Sequence, residues 1–132
     1  MIKKSPFIVP VLAFLALSLS AETPEDLILQ GDALYAQRAD ILKAGQALAR
    51  YQEALNLAPG SFEALIKNVQ AMYYIGDNSA SSGEKKKIFK QAMDLCNKAI
   101  ALRSDRVEGH YWLGVHTGSY GEARGVLKSL FL

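Results

Sequence analysis

Residues 47–60, ALARYQEALNLAPG, decide the fold. Ala47, Tyr51, Ala54 and Leu55 recur at the spacing of one face of an α-helix, and Pro59-Gly60 closes that helix. Forty-five residues later, residues 92–105, AMDLCNKAIALRSD, carry the same pattern: Ala92, Cys96, Ala99 and Ile100, then Ser104-Asp105. An alanine that faces a neighbouring helix lets the two axes approach closely. Alanines returning at fixed offsets therefore predict helix pairs stacked in register.

Working outward, each of these helices has another before it. Pro24 to about Arg38 is the first, with Thr23 as N-cap, Pro24 in the first turn, and Glu25 and Asp26 complementing the helix dipole. Ser61 caps a helix from Phe62 to about Ile75, ended by Gly76-Asp77. Residues 78–83, NSASSG, form a polar loop, with Ser81 or Ser82 capping the helix that begins near Glu84. A fifth helix runs from about Val107 to His116, is broken by Gly118 and Gly121, and is followed by a sixth from Glu122. No stretch alternates apolar and polar residues for long enough to be a strand. The predicted class is all-α, three antiparallel helix pairs.

The N-terminus reads as an address. Lys3 and Lys4 precede an uncharged, mostly apolar stretch of 14 residues, Pro6–Leu19. That is short of the ~20 residues that span a bilayer and matches the apolar core of a secretory signal. Small residues support cleavage after Ser20 or Ala21, leaving 22–132 as one helical repeat domain. The expected location is a bacterial periplasm, or the exterior, with an uncleaved anchor as the alternative. Half of the 132 residues are apolar and 21% are charged, a globular balance and not a disordered one. Of 15 basic residues, Lys3 and Lys4 lie in the leader; the 13 that remain match 13 acidic ones. A neutral chain gives no electrostatic reason to expect nucleic acid. A single cysteine excludes an internal disulfide and any multi-cysteine metal site.

The set Ala47…Tyr51…Ala54…Pro59 resembles the second helix of a tetratricopeptide repeat, and Leu113-Gly114 its first-helix Leu-Gly pair. Gly118-x-Tyr120-x-Glu122-Ala123 is similar to the turn between the two. The period departs from the family, 45 residues against about 34, chiefly through an insert near 78–87. More narrowly, the segment His110-Tyr111-Trp112-Leu113-Gly114 with Tyr120-Gly121-Glu122-Ala123-Arg124-Gly125 resembles the periplasmic T component associated with TRAP transporters. The resemblance implies a short solenoid that docks a transporter subunit or handles an apolar ligand. It also implies that the first helix of each pair lines a concave binding face. Carried over by residue, that face holds Asp32 and Tyr35, then Gln70, Tyr73 and Tyr74, then Glu108, Tyr111 and Val115.

Nothing in the chain reads as catalytic machinery. His110 and His116 are six residues apart, about 240° around a helix, and cannot chelate one metal as an i, i+4 pair does. The glycines near 114–121 do not form a phosphate-binding loop. Cys96 occupies a position the helix pattern wants buried, and Lys85-Lys86-Lys87 reads as a solvated helix start. No metal or cofactor is implied. The expected function is non-catalytic capture of a protein partner, TRAP-associated in its sharpest form. A carrier of an apolar small molecule and a general envelope-assembly adaptor are the alternatives. The apolar end, with Leu127, Leu130, Phe131 and Leu132, points either to a missing capping helix or to docking on another chain.

Overall fold

The computed structural model describes Lys3, residues 20–125 and Leu130. Five helices account for the fold: α1 (Pro24–Tyr35), α2 (Ile41–Leu57), α3 (Phe62–Asp77), α4 (Ser82–Leu102) and α5 (Val107–Ala123). Among the described residues there is no strand. No helix among them is long and apolar enough to cross a membrane.

Side-chain caps start α1 to α4, whereas α5 begins after Arg106 with no side-chain cap. Thr23 and Asp26 form a reciprocal capping box: the Asp26 N–H donates to Thr23 Oγ1, and the Thr23 N–H, donating to Asp26 Oδ2, leads in holding the carboxyl below its usual range. Asp40, Ser61 and Ser81 cap α2, α3 and α4 through their side-chain oxygens. Of the two candidate caps near the polar loop it is therefore Ser81 that serves, and much of the 78–87 insert is wound into the start of α4.

Consecutive helices pack on one another, from α1 on α2 through to α4 on α5. The central α3 also touches α1 and α5, whereas the backbones of α2 and α4 stay apart. Two apolar clusters follow. Leu27, Ile28, Ala47, Tyr51, Ala54, Ala64 and Ala71 form the first; Val69, Met72, Ala92 and Cys96 form the second. Helix α3 supplies residues to both, and Leu48 packs against each. All four alanines of the 45-residue pattern, and Cys96 with them, are fully buried.

Two glycines allow a ring to lie directly on a neighbouring helix backbone. Gly31 of α1 lies under the Tyr51 ring of α2, and Gly76 of α3 lies under the Phe89 ring of α4. These two glycines are themselves 45 residues apart, but their rings are not: Tyr51 and Phe89 are 38 apart, and Cys96 holds the position 45 after Tyr51.

The C-terminal part differs from the sequence expectation. In place of a break at Gly118 and Gly121, α5 runs unbroken to Ala123, and Glu122 opens no sixth helix. The glycine that stops the helix is Gly125, whose φ of 75° is the left-handed geometry of a helix end. Packing sustains α5 across its interior glycines: His116 is fully buried, and Ser82 Oγ donates to Ala123 O at 2.8 Å, tying the start of α4 to the end of α5. Of the apolar end, Leu130 is exposed, and Leu127, Phe131 and Leu132 lie outside the described residues. The leader through Leu19, apart from Lys3, lies outside them too.

Candidate functional site

The residues expected to form one binding face sit on α1, α3 and α5, and they fall into two groups. At the α1–α3 junction, Asp32 accepts a hydrogen bond from the Tyr51 hydroxyl at 2.7 Å and an ion pair from Lys67 at 2.8 Å. One carboxylate thus joins three helices. Burial first, and then the Asp32 contact, push the Tyr51 phenol far above its usual range, so its proton stays in this bond. Beside it, Tyr35 and Tyr74 meet edge to face with centroids 6.3 Å apart. The Arg38 guanidinium lies 4.7 Å from the Tyr35 centroid and 5.6 Å from that of Tyr74.

At the α3–α5 junction, Tyr73 tilts against Trp112 at 5.9 Å, and Trp112 meets Tyr111 edge on at 5.2 Å. Tyr111 is 60% exposed, the most open of these rings. Val115 and Gln70 are half-buried on the same helices. Toward the start of α3 and α5, Phe62, Ile66, Lys67, Arg106 and Glu108 line an open groove of about 330 Å³. Arg106 pairs with Glu108 and holds its carboxyl below the ordinary range, while its guanidinium sits 5.5 Å from the Phe62 ring. The four tyrosines therefore form two pairings and not one continuous contact. Trp112, which the sequence reading did not place on this face, is what links Tyr73 to Tyr111.

Chemically this face offers rings with polar edges, the paired carboxylates of Asp32 and Glu108, and the Arg38 guanidinium over two rings. The groups elsewhere with chemistry in them are occupied structurally. Burial pushes the Cys96 thiol up to about 12, which keeps it protonated and unreactive. His116 Nε2 donates to Val69 O at 2.8 Å inside a cage of Tyr73, Phe89 and Trp112 rings. Desolvation lowers its pKa and keeps the ring neutral. His110 Nε2 bonds Ser104 O at 3.1 Å near the surface. Lys85, the first of the lysine run, donates to Asp77 O at 3.1 Å and lines an open groove of about 440 Å³ with Ser82, Phe89 and Arg124.

A family model described as RMD1-3, regulator of microtubule dynamics protein 1-3, matches residues 27–130. The match takes in more than three quarters of the chain, from α1 through α5. No curated protein and no solved structure matches. The resemblance to tetratricopeptide proteins, and to the TRAP-associated T component within them, is corrected by this finding. The spacing Ala47, Tyr51, Ala54 reports how closely two helices pack, and any family of tightly paired helices needs small residues at such positions.

Proposed function

The chain belongs to the RMD1-3 family, regulator of microtubule dynamics protein 1-3, and on that premise we propose that it is a non-catalytic helical scaffold that binds a polypeptide. Its contact surface is the face shared by α1, α3 and α5. The carrying observation is the pairing of half-exposed rings there: Tyr35 with Tyr74 under Arg38, and Tyr73 with Trp112 and Tyr111. Aromatic rings that are rigid, apolar on their faces and polar at their edges, with an arginine beside them, are the side chains that anchor protein interfaces. The repeating order of close helix pairs supports a short solenoid. The Lys3-Lys4 start and the apolar stretch after it support export, which would make the partner an extracytoplasmic polypeptide.

Site-specific photo-crosslinking in the native cells tests this. A photoreactive residue at Tyr74 or Tyr111 should capture one discrete polypeptide, and the same residue at Glu53, exposed on α2, should not. Equal capture from Glu53, or none from the two tyrosine positions, would remove the reading.

A further inference from the structure

We propose that Arg38, held over the Tyr35 and Tyr74 rings, is the point at which the face recognises a carboxylate of its polypeptide partner. The proposal rests on the α1–α3–α5 face being the contact surface, and it names what that face selects.

Of the five arginines in the chain, three have a carboxylate two or three residues along: Arg50 with Glu53, Arg103 with Asp105, and Arg106 with Glu108. Among the described residues, Arg38 and Arg124 pair with no carboxylate. Arg124 stands over a single ring, Tyr120 at 5.7 Å, and shares its groove with the acidic Asp77 and Glu122. Arg38 is differently placed. Its guanidinium carbon lies 4.7 Å from the Tyr35 centroid and 5.6 Å from that of Tyr74, and the two rings stand at 77° to each other. Nη1 donates to Tyr35 O at 3.3 Å, which anchors the head to the end of α1. Most of the guanidinium's donors are left for an acceptor from outside.

A carboxylate suits those donors, because the planar fork gives it two parallel hydrogen bonds. An exposed ion pair is ordinarily weak, since two long side chains must be fixed in one geometry. Here the rings and the Tyr35 carbonyl already fix one of them, so less freedom is lost when the acid arrives. Two carboxylates on the same face do not compete for Arg38, because Asp32 is paired with Lys67 and Glu108 with Arg106. The complementary partner therefore places an acid where Tyr35 and Tyr74 meet, with apolar side chains beside it for the rings.

The test is an NMR titration of the chain with N-acetyl-leucyl-glutamyl-leucinamide, with its glutaminyl counterpart, and with N-acetyl-leucyl-leucine, whose carboxylate is the chain end. The glutamyl peptide should shift the Arg38 Nε–H and the Tyr74 amide, with millimolar affinity. It should bind about fivefold more tightly than the glutaminyl peptide at low salt, a margin that ~1 M salt should remove. Whichever carboxylate peptide binds more tightly tells a side-chain acid from a chain end, and either supports the proposal. Arg38→Lys keeps the charge without the fork and should lose most of the margin; Arg38→Gln should lose all of it. Equal binding of the glutamyl and glutaminyl peptides would overturn the proposal. So would no shift at Arg38 at millimolar peptide, a margin that survives Arg38→Gln, or equal shifts at Arg124. Photo-capture from Tyr111 that persists in those cases would leave the face a polypeptide surface and remove only its preference for an acid.

Discussion

Replacing Gly31 or Gly76 by alanine should destabilise the chain, whereas the same change at Gly45 should stabilise it. A Cβ on Gly31 would overlap Tyr51 Cε1 and lie 2.7 Å from Cδ1; on Gly76 it would lie 2.6 Å from Phe89 Cε1. Ordinary contact needs 3.4 to 4 Å. Neither ring can withdraw, since Tyr51 is 1% exposed with its hydroxyl held on Asp32, and Phe89 is 2% exposed. Gly45 has nothing within 4 Å of the same atom and lies inside α2. Alanine gains roughly 1 kcal/mol over glycine in a helix interior, a gain all three sites share. Overpacking a rigid core costs about 1–3 kcal/mol. Gly45→Ala thus measures the helix term alone, and Gly31→Ala should fall about 1–3 kcal/mol below it. Urea unfolding followed by circular dichroism reads the difference as a shift in midpoint at common slope. Should Gly31→Ala and Gly76→Ala match Gly45→Ala in stability, the close approach of ring and backbone would be refuted.

Ala54→Trp and Ala99→Trp, both at fully buried positions, should each cost about 3 kcal/mol or more by thermal or chemical melting. Tyr51→Phe should cost about 1–2 kcal/mol in the same assay, because Asp32 loses its phenol donor and keeps Lys67. Stability should also decline as pH falls below about 6.5. There the unfolded His116 takes up a proton that the buried ring resists, so the folded state loses at most about 1.4 kcal/mol per pH unit until its own lowered pKa is reached. His116→Phe should flatten that window, measured as urea midpoints between pH 7 and 5, and leave any carboxylate effect nearer pH 4 in place.

Much of the architecture is legible in the residue pattern because helix pairing leaves a direct chemical trace. Ala47, Ala54, Ala92 and Ala99 must be small where helices cross, and Thr23 and Ser61 must carry a cap oxygen where helices begin. The continuation of α5 is not legible. Gly118 and Gly121 each weaken a helix by about 1 kcal/mol, and the compensation comes from tertiary contacts of His116 and Ala123 that no local pattern displays. The face on α1, α3 and α5 is partly legible, since helical spacing groups Tyr35, Tyr74 and Tyr111 by element. The pairings through Arg38 and Trp112 depend on side-chain reach across helices. Asn68 leaves only a faint signal, because α3 also carries Gln70 two residues on and the sequence does not say which carboxamide is buried. Kinship is the least legible property, because close packing imposes similar spacing on unrelated helix pairs.

The separation of α2 from α4 gives the molecule a mechanical character. Force or solvent entering at the α1–α2 end reaches α4 and α5 chiefly by way of α3, which supplies buried residues to both apolar clusters, with the Leu48 side chain of α2 packed beside it. The two flanking pairs are then separate shutters hung on a single post. Hydrogen exchange should find α3 the last segment to open, with each flank able to peel away while the other stays closed.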